Sequence, residues 1–242
     1  MAEETRLKYQ VSLFGDFSRY GVTEENLRKC FDGFFKFQML PNQIQESNPG
    51  GSLESRISLQ SIHNGIAINL LSDRMDILAM PMVGNPAAKL TVDSFVETSL
   101  PIADELLRIF PATINRIGFV VESFMAEVPA EKLDGVRAKF LCPKLPFASE
   151  LPTNEWNIRD VVLGELAGVS SNFIFSIARV KAHTADARGV REKETHHLMV
   201  DVNSSANQGI VFKDFSAIQG FVLQSVEKYK VMKSDIEGRV HG

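Results

Sequence analysis

Five histidines, two cysteines and thirty acidic residues are the groups with which this chain of 242 residues could do chemistry. His196 and His197 are adjacent in a stretch that reads as a strand, so their side chains leave on opposite faces and cannot converge on one ion. His183 falls on the neighbouring strand, out of register with His196. A zinc site needs three or four converging ligands, and no cysteine or acidic pair is placed to complete one. Asp73 and Asp76 flank a turn, while Asp104 and Glu105 sit on a helix facing water; general acid–base work needs two carboxyls held across a cleft. The phosphate-binding glycine loops, the H-E-x-x-H helix and the G-x-S-x-G elbow are all missing from the sequence. Asn48-Pro49-Gly50-Gly51-Ser52 is rich in glycine, but no strand leads into it and no helix follows. The reading leans away from an enzyme, and neither metal nor cofactor is expected.

Groups suited to binding remain. His63 falls on the apolar side of a hairpin, and Trp156 and Tyr229 are large rings with polar tips; these three are the candidates for lining a ligand groove. Arg179, Lys181, Arg188, Arg191 and Lys193 cluster around a hairpin tip at Gly189 and could hold an anion. Asp186, Glu192 and Glu194 dilute that charge, and no aromatic residues interleave for base stacking.

The elements that must position these groups follow from periodicity. Tyr9, Val11 and Leu13 alternate in a strand over 8–14. Thr23 suits the cap of a helix whose stripe is Leu27, Cys30, Phe31 and Phe34, with Val22 and Leu27 as a staple. Residues 40–54, with Pro41, Pro49, Gly50 and Gly51, read as a loop. Asn64-Gly65 predicts a two-residue hairpin turn that puts Ile57, Leu59, Ser61 and His63 on one face with Ile66, Ile68 and Leu70. A turn at Asp73-Arg74 adds Ile77 and Ala79, and a helix over 93–110 is kinked or split by Pro101.

After mid-chain the order recurs. Ile117, Phe119 and Val121 open a strand, 129–139 can hold a short helix, and 140–154 reads as a proline-bearing loop. Trp156 and Ile158 start a strand, 172–180 and 195–202 are two more, and 183–194 is the loop between them. Asp214 caps a last helix with the stripe Phe215, Ile218, Val222, Ser225 and Tyr229. The fold class expected is α+β: two pseudo-repeated β-α-β-β-β-α units, over 1–112 and 113–235, packing antiparallel meanders on amphipathic helices as one body. Ile236-Glu237-Gly238-Arg239 spells a protease recognition sequence, so 236–242 is read as a tail, native or engineered.

A net charge of −4 and 44% hydrophobic residues describe an ordinary folded protein and argue against broad nucleic-acid binding. The start lacks the apolar core of a signal peptide, no apolar run reaches the length of a membrane span, and Cys30 and Cys142 form no framework. A cytoplasmic protein without a membrane partner is the expectation.

The run from Pro111 to Phe119, with Arg116-Ile117-Gly118 at its centre, precedes Glu155-Trp156-Asn157-Ile158-Arg159 and Asn172-Phe173-Ile174-Phe175-Ser176-Ile177. Together these runs resemble a sporadically distributed family of uncharacterised bacterial proteins of about this length, with an Arg-Ile-Gly strand at mid-chain and a long last helix. The family usually continues with a leucine and Arg-Tyr, where this chain has Phe119-Val120-Val121. The resemblance implies an accessory role in a defence or stress locus and carries over no catalytic residues. The leading expectation is a non-enzymatic protein acting on a protein partner or a second copy of itself. A small-molecule groove is the alternative, and nucleic acid is the least favoured partner.

Overall fold

The computed structural model describes residues 4–47, 50–61, 63–80, 90–126, 133–140, 155–186, 189–205, 209 and 211–241, without the side chains of 133, 134, 183–186, 189–191 and 193. Alternation around Tyr9, Val11 and Leu13 builds β1 (Thr5–Phe14) with all three buried. α1 (Glu24–Phe34) begins at Thr23, whose hydroxyl accepts the Asn26 N–H. A short 3-10 turn over Phe35–Phe37 and a left-handed Gln38 lead into β2 (Met39–Ser47). Then come β3 (Leu53–Ser61), β4 (Ile66–Leu70), β5 (Arg74–Ala79) and α2 (Val92–Ile109). β6 (Arg116–Phe124), α3 (Leu133–Lys139), β7 (Trp156–Leu166), β8 (Val169–Asp186), β9 (Gly189–Ser204) and α4 (Phe215–His241) complete the order.

The strands form one sheet, β2-β3-β4-β5-β1-β6-β9-β8-β7, antiparallel at every step. One row of directly opposed residues crosses all of it: Pro41, Leu59, Ile68, Ile77, Val11, Phe119, Val202, Phe173 and Val162. Side chains in such a row share a face, so the apolar side of the sheet runs unbroken from one edge to the other. α2 and α4 cover the middle of that face, where Phe95 stacks on Tyr9 at 5.5 Å and Phe119 meets the Tyr229 ring edge-on at 6.4 Å. The neighbouring row on the other face is polar: Ser58, Asn69, Asp76, Ser12, Gly118, Asn203 and Asn172. Ser58 donates to Asn69 at 3.0 Å, Ser12 to Asp76 at 2.6 Å and Asn172 to Asn203 at 3.0 Å. An antiparallel sheet with helices on one face is an α+β fold. No helix among the described residues is long and apolar enough to cross a membrane.

Several sequence expectations need correction. Residues 39–47 are a strand, not part of a loop, because Met39 through Ser47 pair with β3 along its free side. Pro41 is tolerated there because an edge strand need not donate on its outer side. Its inner anchor is Arg56, buried on β3, which donates to Glu46 at 2.7 Å, Glu54 at 3.1 Å and the Ser18 carbonyl at 3.0 Å. The β3–β4 hairpin pairs Leu59 with Ile68, where the two-residue turn would have paired Ser61. A slip of two residues keeps every side chain on its face but pushes His63 out into the turn, where it is exposed. Leu71 bonds to Arg74, so the next turn is at Ser72 and Asp73.

Phe31 is 47% exposed, and Asn26 rather than Phe31 joins Cys30 and Phe34 on the buried side of α1. α2 runs through Pro101 as one helix, with the ring exposed. The β8–β9 ladder continues to Asp186 opposite Gly189, so most of 183–194 is strand. Arg179 pairs with Glu194 at 2.6 Å and Lys181 with Glu192 at 3.3 Å, cross-strand ion pairs that let a polar ribbon hold its register. α4 continues through the expected tail, burying Ile236 and Val240. Of the expected loop over 140–154, residues 141–154, with Cys142, lie outside the described residues.

Candidate functional site

Among the described residues the sheet ends in two strands of opposite character. β2 carries Pro41, which discourages pairing with another chain, among the polar side chains of Asn42, Gln43, Gln45 and Glu46. β7 carries three consecutive apolar residues, Val161, Val162 and Leu163, exposed by 41, 51 and 74%. Valine at two of these positions favours extended backbone. β7 hydrogen bonds to β8 on one side, and the row of N–H and C=O groups on its other side has no strand among the described residues.

A groove of about 610 Å³ lies beside this edge, between the apolar face of β7 and β8 and the second half of α4. Its floor includes Val162, Phe173 and Phe175 from the strands and Met232 and Ile236 from the helix. The register explains the composition: Phe173 opposes Val162 and Phe175 opposes Asp160, so alternate residues of both strands point the same way. Gly164 keeps the groove open, because a Cβ there would lie 2.8 Å from the Phe173 ring. Lys228 holds its ammonium 5.2 Å from the centre of the same ring, and Asp235 and Arg239 stand on the rim. Such a space can take the apolar side chains of a polypeptide or an apolar small molecule, with mixed charge at its mouth.

The ligand candidates from the sequence do not come together. His63 is exposed in the β3–β4 turn at the far side of the sheet. Tyr229 is buried against Phe119, and burial raises its phenol above the usual range. It lines a separate hollow of about 320 Å³ with Tyr9, Arg6 and Lys233. Trp156 is buried at the start of β7, in a row with Arg179 and His196. Of the basic cluster, Arg179 and Lys181 are paired as above; Arg188 and the side chains of Arg191 and Lys193 lie outside the described residues.

Sequence reasoning did not find two features. One is the β7 edge, which no described strand covers and whose signal was the uninterrupted Val161-Val162-Leu163. The other is His196, fully buried, with neither ring nitrogen hydrogen bonded among the described residues and its ring 5.3 Å from that of Trp156. The Trp156 indole N–H also has no partner among the described residues. Burial, together with the nearby Arg179 and His241 charges, pushes the His196 imidazole down to about 4, so it is neutral near pH 7. Two unmet polar groups in one place are unusual in a core. Among the described residues no group of three histidine, cysteine or acidic side chains could hold a metal.

Comparison with protein-family models, with curated proteins and with solved structures finds no match.

Proposed function

We propose that this protein acts by binding polypeptide, and that β7 is its docking edge. The partner enters as an extended segment with apolar side chains at alternate positions. It pairs its backbone with β7 and places every second side chain over the groove. Strand addition of this kind takes its affinity from main-chain hydrogen bonds and its specificity from the spaces that receive alternate side chains. The observation that carries the reading is the run Val161-Val162-Leu163, exposed on an edge strand next to an apolar groove. An accessory role in a bacterial defence or stress locus fits a protein that works by docking.

The reading has support in the arrangement of the two halves, which we read as pseudo-repeated units. Outward from the central β1–β6 pair the sheet runs β1-β5-β4-β3 on one side and β6-β9-β8-β7 on the other. Each half follows its first strand with a helix and closes with a long helix, α2 or α4. β7 is then the counterpart of β3. β3 is covered by β2; β7 has no such strand among the described residues.

Selection from a library of random peptides of about twelve residues tests the reading. The expected winners alternate apolar and polar residues, and Leu163→Lys abolishes their binding. Winners with helical spacing, or binding indifferent to that substitution, would overturn it. The volume of the groove favours a second reading, an apolar small molecule held above Phe173 and Phe175.

A further inference from the structure

We propose that the segment docking on β7 is β7 of a second copy, paired antiparallel about a twofold axis at Val162. This rests on the reading of β7 as a docking edge and names its partner. The argument is self-complementarity. Antiparallel pairing about Val162 sets each residue before it opposite the residue equally far after it in the other copy. Val161 then faces Leu163, Ile158 faces Leu166, and Arg159 faces Glu165, once on each side of the axis. Directly opposed pairs in an antiparallel ladder are in contact, and opposite charges or apolar pairs there are favourable.

Neighbouring registers lose this match. Centred on Val161, the pairing sets Arg159 against Leu163 and Asp160 against Val162. Centred on Leu163, it sets Val161 against Glu165 and Asp160 against Leu166. Only the Val162 register pairs every apolar residue of the exposed run with another and satisfies both charges. It also respects the faces. Val162 lies on the helix-bearing side in each copy, whereas Val161, Leu163, Arg159 and Glu165 lie on the other. The axis is therefore perpendicular to the sheet, the two sheets become one, and the grooves beside α4 lie either side of the axis. A contact of two strands is smaller than a standard interface, so the association is reversible and depends on concentration.

The test is sedimentation velocity of the full chain from about 1 to about 100 µM, for the wild type and a charge series. The expected species approaches twice the 26.9 kDa of one chain as concentration rises. Arg159→Glu or Glu165→Arg alone sets like charges opposite each other at both ends of the contact, and each weakens the dimer about tenfold or more. The combined exchange Arg159→Glu with Glu165→Arg restores it, which a merely structural role for either residue would not produce. A dimer that ignores all three variants overturns the pairing. A chain that stays monomeric throughout also overturns it. In that case, capture of alternating peptides sensitive to Leu163→Lys leaves the docking edge standing, and no capture removes both readings.

Discussion

Arg159 and Glu165 stand three residues either side of Val162 on β7, with both side chains on the face away from the helices. A strand with opposite charges placed symmetrically about an exposed apolar centre is complementary to itself when turned end for end. The partner strand β2 at the other edge of the sheet has no such pattern and carries Pro41 instead. The same sheet thus has one end strand that carries proline and one that exposes an apolar run.

Leu163→Lys should separate association from folding. Leu163 is 74% exposed, so its loss from the folded monomer should change stability by no more than about 0.5 kcal/mol. A lysine on an edge opposes pairing. Chemical denaturation should overlay the wild type, while the dimer mass should be lost.

Val162→Cys should trap the contact. Directly opposed residues bring their Cβ atoms within reach of a disulfide. Mild oxidation should give a covalent dimer on a non-reducing gel, whereas Ile158→Cys, which faces Leu166 of the other copy, should not.

Filling the groove should leave the edge intact. Met232→Trp places a large ring over Phe173 and Phe175 and should weaken binding of an apolar fluorescent dye about tenfold, as titration would show. Dimer formation, carried by the backbone ladder and by the pairs on the opposite face, should fall by much less, which separates the small-molecule reading from the strand reading.

Glu46→Ala should uncouple β2. It removes the closest carboxylate from the buried Arg56 guanidinium and also releases Ser72, whose N–H and hydroxyl both donate to Glu46. Arg56 keeps Glu54 and the Ser18 carbonyl, so the loss of this one charged partner costs about 1–3 kcal/mol, measurable by denaturant unfolding. Amide exchange in 39–47 should rise more than elsewhere.

The pH dependence of stability should carry the mark of His196. Its folded value of about 4 lies below the ordinary 6.5, so the unfolded chain binds a proton first as pH falls. Stability therefore declines between about 6.5 and 4, by about 2–3 kcal/mol. Glu105, beside Arg108, and Glu122, beside His197 and ion-paired with Lys8 at 2.6 Å, are each held to about 2; what they add is present above 4.5 and lost toward pH 2. His196→Phe should flatten the upper window and leave the lower fall in place.

Much of the architecture was legible in the chain, for physical reasons. Alternation at Tyr9, Val11 and Leu13 and at Ile117, Phe119 and Val121 marks the central pair because both strands bury one face completely. Thr23 and Asp214 show as caps because their side chains act on backbone groups two or three residues away. β2 was not legible: its partner is a strand already formed, and its proline and polar residues carry the mark of a loop. The β8–β9 ribbon was read short because its pairs are ionic, not apolar. His63 was misplaced by a slip of two residues that periodicity cannot detect, since the faces are unchanged. The docking edge was hidden for a related reason. Val161-Val162-Leu163 continues the strand that Trp156 and Ile158 start, and only the sheet order reveals that nothing described lies beyond it.

Amide hydrogen exchange along β7, followed as a function of protein concentration, tests the central claim most directly. The account predicts that protection of amides in 158–166 rises with concentration in the wild type and stays low in Leu163→Lys. Exchange in β7 that is the same at all concentrations, in a protein that nonetheless dimerises, would contradict it.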